Sequence, residues 1–222
     1  EINNPKIIIN CIGHIGRNVD DCELDKDRTL LANTFLPFIL AEAALRQNIY
    51  LVQIGSGCIY HFDYNKDRPI REEKNPDFFD LFYSRTKIYS ELALAGLSSQ
   101  FPILIARLRI PLDNRPHPKN LLDKLIHYRK AIDIANSVTY MPDFVLALKT
   151  LMRKKATGIY NLVNKGGLFF PRLLDIYKRY VPDFEYEKIA FKKLKIARTN
   201  LILSTSKLEK SGFKVRQIND VL

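Results

Sequence analysis

Short β-branched runs that each stop near a glycine, spaced by helix-length stretches, constrain this chain more than any other feature. Lys6-Ile-Ile-Ile-Asn10 ends just ahead of Gly13, and the run IYLVQI at 49–54 ends on Gly55. The run PILIARL at 102–108 repeats the texture. Continuous apolar runs of this length fit strands buried on both faces, as in a parallel sheet. Between them, residues 27–46 carry a helical apolar pattern with Pro37 as a kink or break, and 78–97 reads as a second helix. Strands alternating with helices predict an α/β fold whose ligands bind beyond the strands' carboxyl ends. Those ends hold Asn10-Cys11-Ile12-Gly13, Gly55-Ser56-Gly57-Cys58 and 107–111.

Beyond Pro111 the texture changes. Asp113-Asn-Arg-Pro-His-Pro118 is a turn-rich loop. Helices are expected over 119–129, 142–154 and 170–180, with Pro142 suited to a first turn. Strands are expected near 131–134 and 158–163. The tail, 195–213, reads as a short strand and then a helix capped by Ser204 or Thr205. With 222 residues, 46% of them hydrophobic, the chain can bury a sizeable core. It divides into a parallel-sheet part at 1–111 and a smaller lid or substrate part at 112–222, interleaved with the first.

A net charge of +11 fits either an anionic small molecule or ordinary solvated Lys and Arg faces. Arg153-Lys154-Lys155 and Lys192-Lys193-Leu194-Lys195 are local clusters, but no basic stretch is interleaved with aromatics, so a nucleic-acid partner is not expected. Cys11, Cys22 and Cys58 form no CxxC pair, which fits a reduced protein. His14, His61, His117 and His127 have no metal-ligand spacing. No apolar run nears the roughly 20 residues of a membrane span. The opening Glu-Ile-Asn-Asn-Pro has no leader pattern, so a cytoplasmic protein without membrane partners is expected.

Tyr83-Ser84-Arg85-Thr86-Lys87 opens the second helix. Residues four apart share a helix face, so an ammonium would sit near a phenol and lower its pKa from about 10 toward neutrality. The spacing alone is equally compatible with chance. Ser56, at the end of a buried strand, could reach the same sheet edge and bind a carbonyl oxygen while Tyr83 donates its proton. Cys58 lies two residues on, hence on the same side of an extended segment. A thiolate favoured by a nearby cation could exchange a proton next to a keto group, although a buried structural thiol fits the same position.

Gly55-Ser-Gly-Cys-Ile-Tyr60 followed by Phe82-Tyr-Ser-Arg-Thr-Lys87 resembles the extended short-chain dehydrogenase/reductase family. Ile9-Asn-Cys-Ile-Gly13, Asn18-Val-Asp-Asp-Cys-Glu23, Asn33, Leu108-Arg-Ile-Pro111, Pro118-Lys-Asn120, Asn136-Ser-Val-Thr139 and Tyr160-Asn-Leu-Val-Asn164 resemble its sugar-nucleotide branch. Their combination is most similar to the UDP-4-keto-6-deoxyglucose 3,5-epimerase/4-reductases and the dTDP-4-dehydrorhamnose reductases. The resemblance spans nearly the whole chain. It implies a Rossmann-like fold, NADPH or NADH as cofactor, and a nucleotide-diphosphate sugar as substrate. Ser56, Tyr83 and Lys87 would serve reduction, with Lys87 also holding a ribose hydroxyl. Cys58 would serve as epimerisation acid/base, accompanied by Lys124. Asn10, Gly13 and Asn33 would line the cofactor site. Lys119, Asn120, Arg198 and Asn200 would bind the substrate, with Thr199 standing where the relatives' Arg-Pro-x-Asn element has proline.

One departure matters. Such families open with a Gly-x-x-Gly-x-x-Gly turn that cradles the cofactor pyrophosphate, and these residues contain none. Gly13-His-Ile-Gly16 is too short and follows a different strand. The first strands are therefore expected to be missing here, leaving an apolar sheet edge. A fragment of a longer protein, a partner chain supplying that half (or a homodimer), and a degenerate relative are the alternatives; the fragment is the reading adopted. The rival to an enzyme is a non-catalytic binding or regulatory subunit. A 4,6-dehydratase is not supported, because Gly57 and Cys58 replace its acidic pair.

Overall fold

Four of the apolar runs meet in one parallel sheet. The computed structural model describes residues 4–194 and 197–222. The sheet contains β1 (Ile7–Asn10), β2 (Tyr50–Ser56), β3 (Ile103–Leu108) and β7 (Gly158–Asn161), in the order β1-β2-β3-β7. Asn10 pairs with Gln53, and Ser56 with Leu108, so the carboxyl ends form one edge. Two short parallel pairs lie beyond it: β4 (Pro111–Leu112) with β6 (Thr139–Tyr140), and β5 (Lys130–Ile132) with β8 (Glu187–Ile189). The helices are α1 (Asp21–Leu24), α2 (Lys26–Arg46), α3 (Phe82–Leu97), α4 (Leu121–Tyr128), α5 (Met141–Arg153), α6 (Phe170–Lys178) and α7 (Ser206–Lys210).

Successive strand residues face opposite ways, so the sheet has two apolar faces. Tyr50, Val52, Leu104 and Ala106 pack under Phe144, Ala147, Leu148 and Leu151 of α5 and Leu208 of α7. Leu51, Ile103 and Ile105 pack under Ala41 and Ala44 of α2 and Leu94 of α3. Burying one such Leu or Ile side chain contributes about 1.5–3 kcal/mol. A separate cluster of Leu121, Leu125, Val138, Leu168, Leu173 and Leu174 joins α4 to α6. Residues 158–161, expected in the second part of the chain, thus complete the main sheet, and α5 and α7 cover it. The interleaving is that α4, α6 and the two short sheets alone form the second layer. β1 is an outer strand whose Ile7 and Ile9 are 41% and 44% exposed.

Three boundaries differ from expectation for physical reasons. Pro37 neither breaks nor ends its helix: Leu31–Phe35 forms a π turn immediately before it. The wider turn accommodates a residue that has no N–H to give, and π turns of this kind gather at functional sites. The resulting 21-residue helix is, by length and composition alone, long enough and apolar enough to cross a membrane, contrary to the expected absence of such a run. Thr29, Asn33, Thr34, Ala41 and Ala44 on it are buried inside the protein. α3 begins at Phe82 rather than 78, because the N–H groups of Asp77 and Phe78 are drawn to the Ile59 carbonyl. The strand expected in the tail is reduced to one bridge, Ile70 to Leu203, and the first two of its residues lie outside the described ones.

The inward face of α3 buries five polar or charged residues, Ser84, Thr86, Lys87, Ser90 and Glu91, beside Ile88 and Leu94. Its partner in the sheet is Arg107, fully buried in β3. The Arg107 guanidinium donates from Nε and Nη2 to the Glu91 carboxylate at 2.8 and 2.6 Å and lies over the Tyr60 ring. Removing one partner of a buried pair strands the other charge, so Glu91→Leu should cost about 3–5 kcal/mol. The double variant Glu91→Leu/Arg107→Met should recover most of that loss, as urea unfolding of the two variants will measure.

Candidate active site

The end of β2 and the first turn of α3 are tied directly together. Ser56 closes the strand, and the Gly57 N–H extends the ladder to the Leu108 carbonyl at 2.9 Å. The Cys58 N–H donates to Ser56 Oγ at 3.1 Å, which folds the chain back after the strand. Ser84 Oγ donates to the Cys58 carbonyl at 2.7 Å, pinning the turn that carries Tyr83 to the segment that carries Cys58. Gly57 has no room for a side chain: a Cβ there would lie 2.6 Å from Leu203 Cδ1 and 3.5 Å from Arg109 Cβ.

On the other side, the loop after β1 meets α3. Lys87 Nζ donates to the Ile54 carbonyl at 3.4 Å, and a Cβ on Gly13 would lie 3.8 Å from the same Nζ. Asn33, in the π turn, accepts from the His14 N–H and donates to the His14 carbonyl, both at 2.9 Å, and to Thr86 Oγ1 at 3.3 Å. Thr34 Oγ1 donates to the Thr86 carbonyl at 2.9 Å. Asn10 spends its amide on Gln53 and accepts from the Ile12 N–H. Asn10 and Asn33 therefore shape the turn that presents Gly13; their polar atoms are engaged within the protein.

The electrostatics correct one expectation. Burial raises the Tyr83 phenol above its ordinary range, with the nearby Cys58 adding to the rise, while a hydrogen bond with Ser56 and the Arg109 charge oppose it. Burial, not Lys87, sets the direction of the Tyr83 shift, and burial also lowers the pKa of Lys87 itself to about 8, against the pull of Glu91. Spacing gives proximity, but the low dielectric around the pair decides the sign. Tyr83 is thus a protonated acid at neutral pH.

Five further expected residues divide. Lys119 and Lys124 line a cavity of about 660 Å³ together with Arg17, His117, His127 and Tyr128. Burial, reinforced by the like charge of Lys119, lowers the pKa of Lys124. Asn120 precedes α4 and braces the loop before it, accepting from the Asp113 N–H and donating to the Asp113 carbonyl and Asp123. Arg198 is held by a two-pronged pair with Asp20 at 2.9 and 2.7 Å, and the Asn200 carbonyl oxygen accepts from Asn136. Asn120, Arg198 and Asn200 act in this structure as braces between segments rather than as open ligand contacts. No contact joins Lys124 to Cys58. The cation at Cys58 is Arg109, whose Nη1 lies 3.2 Å from Sγ. Sequence reasoning passed over Arg109, although a charged residue at the ligand edge of a buried strand is a usable signal.

A family model of the RmlD substrate binding domain matches residues 1–168. A bifunctional dTDP-4-dehydrorhamnose 3,5-epimerase/dTDP-4-dehydrorhamnose reductase of Arabidopsis thaliana is 29% identical over 98% of this chain and 75% of its own. A trifunctional UDP-glucose 4,6-dehydratase/UDP-4-keto-6-deoxy-D-glucose 3,5-epimerase/UDP-4-keto-L-rhamnose reductase of the same plant is 28% identical over 98% of this chain. The chain spans only about a third, 34%, of that relative's length. Among solved structures, the UDP-rhamnose synthase of Acanthamoeba polyphaga mimivirus superposes with a TM-score of 0.89 at 24% identity, over 97% of this chain and 79% of that one. The dTDP-4-dehydrorhamnose reductase of Bacillus anthracis, solved with NADP, gives 0.80 at 19%, over 96% and 77%. These likenesses establish the Rossmann-like fold.

The buried ammonium makes a stability prediction. Its folded pKa lies below the unfolded value, so Lys87 costs stability in full below about pH 8, and the cost fades as pH rises through the unfolded value. Lys87→Met should therefore stabilise the fold by on the order of 1–3 kcal/mol at pH 7. Thermal melts should show that gain shrinking toward pH 10.

Proposed function

The chain belongs to the RmlD substrate-binding-domain family, and from that membership we propose that it carries the proton-transfer site of a nucleotide-sugar 4-keto-reductase/epimerase. The observation that carries the proposal is the meeting of Ser56, Cys58, Tyr83 and Lys87 at one strand end, tied by the Ser84 and Ile54 contacts. The substrate class is a UDP- or dTDP-linked 4-keto-6-deoxy sugar. Its diphosphate suits the cavity lined by Arg17 and Lys119, two cations that face one opening. The loop after β1 lends Gly16 and Arg17 to that cavity and brings Gly13 up to Lys87.

NADPH or NADH fits the turn at Gly13, where the lack of a side chain leaves space beside Lys87 and Asn33. When bound there, it supplies the hydride that turns the keto carbon into an alkoxide. Tyr83 gives its phenolic proton to that oxygen, and its raised pKa keeps the proton available at neutral pH. Ser56 holds the same oxygen, and Lys87 orients a ribose hydroxyl. Before reduction, Cys58 removes a proton from the carbon next to the ketone: the C–H bond breaks, S–H forms, and the electron pair moves to the carbonyl oxygen. Lys124, whose ammonium is already loosened by burial and by Lys119, returns a proton to carbon. No residue of this chain is assigned to the cofactor pyrophosphate.

Tyr83→Phe in the native full-length protein should slow NADPH oxidation with a UDP- or dTDP-4-keto-6-deoxy sugar by about 100-fold or more. Undiminished oxidation in that variant, or none in the native protein, would overturn the reading. Cys58→Ser should abolish deuterium exchange at the carbons next to the ketone while sparing reduction of an already epimerised sugar.

A further inference from the structure

The cation beside Cys58 is built into the fold with unusual care. Arg109 directly follows β3 and is 1% exposed, in surroundings where an unpaired charge is costly. From Nη1 it reaches Cys58 Sγ at 3.2 Å, Thr199 Oγ1 at 3.1 Å and the Gly57 carbonyl at 3.4 Å. From Nη2 it donates to Asn136 Oδ1 at 2.9 Å and to the Thr199 carbonyl. Among the described residues, no carboxylate answers it. Among the described residues, the two buried side-chain polar atoms without a partner are Arg109 Nε and Asn200 Nδ2, and both belong to this group through Asn136. The backbone beside it is strained: Ile110 has a φ of 39°, a region that β-branched residues avoid. Thr139 holds the turn, giving its N–H to the Arg109 carbonyl at 2.7 Å and accepting the Arg109 N–H on Oγ1 at 2.9 Å. Strain of this kind persists where surrounding structure enforces it, and it gathers at functional sites.

We propose that Arg109 is a positioning residue for Cys58: its guanidinium holds the sulfur as thiolate and fixes its direction at the ligand edge of the sheet. The inference rests on the proposed function for its chemical purpose, since proton removal from carbon needs a thiolate rather than a thiol. A full positive charge at 3.2 Å, with no carboxylate among the described residues to neutralise it, is the arrangement that favours the charged sulfur. The Asn136, Thr199 and Gly57 contacts keep the fork from swinging away. Arg109 also faces Tyr83, where it offsets part of the effect of burial. A single fixed cation thus serves both proton-handling groups.

Labelling with iodoacetamide at pH 7, followed residue by residue by mass spectrometry, tests this without any sugar nucleotide. Cys11 is exposed and Cys58 is half-buried, so access favours Cys11. Thiolate character should reverse that order, with Cys58 reacting about fivefold faster or more, since an ordinary thiol is only a few per cent thiolate at this pH. In Arg109→Met the Cys58 rate should drop to or below that of Cys11 in the same molecule, and Arg109→Lys should retain most of it. Loosened packing would expose Cys58 and speed its labelling, the opposite direction. Cys58 reacting no faster than Cys11 in the native chain, or at an undiminished rate in Arg109→Met, overturns the proposal. If Arg109→Met fails to fold, the native ratio and Arg109→Lys decide. A lack of turnover with intact fast labelling counts against the proposed function alone.

Discussion

The ion pair between Glu91 and Arg107 is the interaction on which the rest of the site depends. On its inward face α3 sets Ser84, Thr86, Lys87, Ser90 and Glu91 beside two buried apolar side chains, Ile88 and Leu94, so polar contacts share the grip on the sheet. Arg107 answers it from β3, which has β2 on one side and β7 on the other. The pair is deep enough that its attraction is barely screened, and the guanidinium is further satisfied by Asn161 and by the Tyr60 ring. Lys87 and Tyr83 lie about one and two turns toward the amino end of Glu91, so fixing Glu91 fixes their height above the strand ends. Position along the helix axis is converted into position over the sheet edge.

That arrangement asks the fold to hold charges it would be more stable without. Lys87 has one long hydrogen bond and a pKa lowered by burial. Arg109 has no carboxylate partner among the described residues, and the backbone beside it is strained. Neither feature belongs to a sheet selected only for packing. The apolar layers on both sheet faces supply the surplus that tolerates them.

Much of this was legible in the residues and some was not. Buried parallel strands announce themselves by length and β-branching, so β1, β2 and β3 fell within two residues of expectation. β7 was found as a strand, but its place beside β3 depends on long-range pairing that no local pattern encodes. Pro37 was visible; the π turn that accommodates it was not, because only the demand that Asn33 reach His14 and Thr86 reveals it. Ser56, Cys58, Tyr83 and Lys87 were legible as a set, but the direction of the Tyr83 shift was not, since spacing carries no information about solvent. Arg198 looked like a phosphate ligand until Asp20 took its guanidinium. Arg109 was one of 35 Lys and Arg residues, and only the tertiary fold brings it to sulfur.

The wall behind Cys58 has a consequence for how the protein is made. Leu203 closes on Gly57, Thr199 holds Arg109, and Leu201 and Leu203 pack with Ile59 and Ile88. Arg198 clasps Asp20 across 178 residues of sequence. A ribosome emits the sheet, α3 and both proton-handling side chains long before it emits these closing residues. During that interval the nascent chain has a strand end with an open flank, and its apolar lining is exposed to whatever else is folding nearby. Contacts of such long sequence separation cannot close until the chain has been made as far as Leu203, so the flank at Cys58 stays open until then.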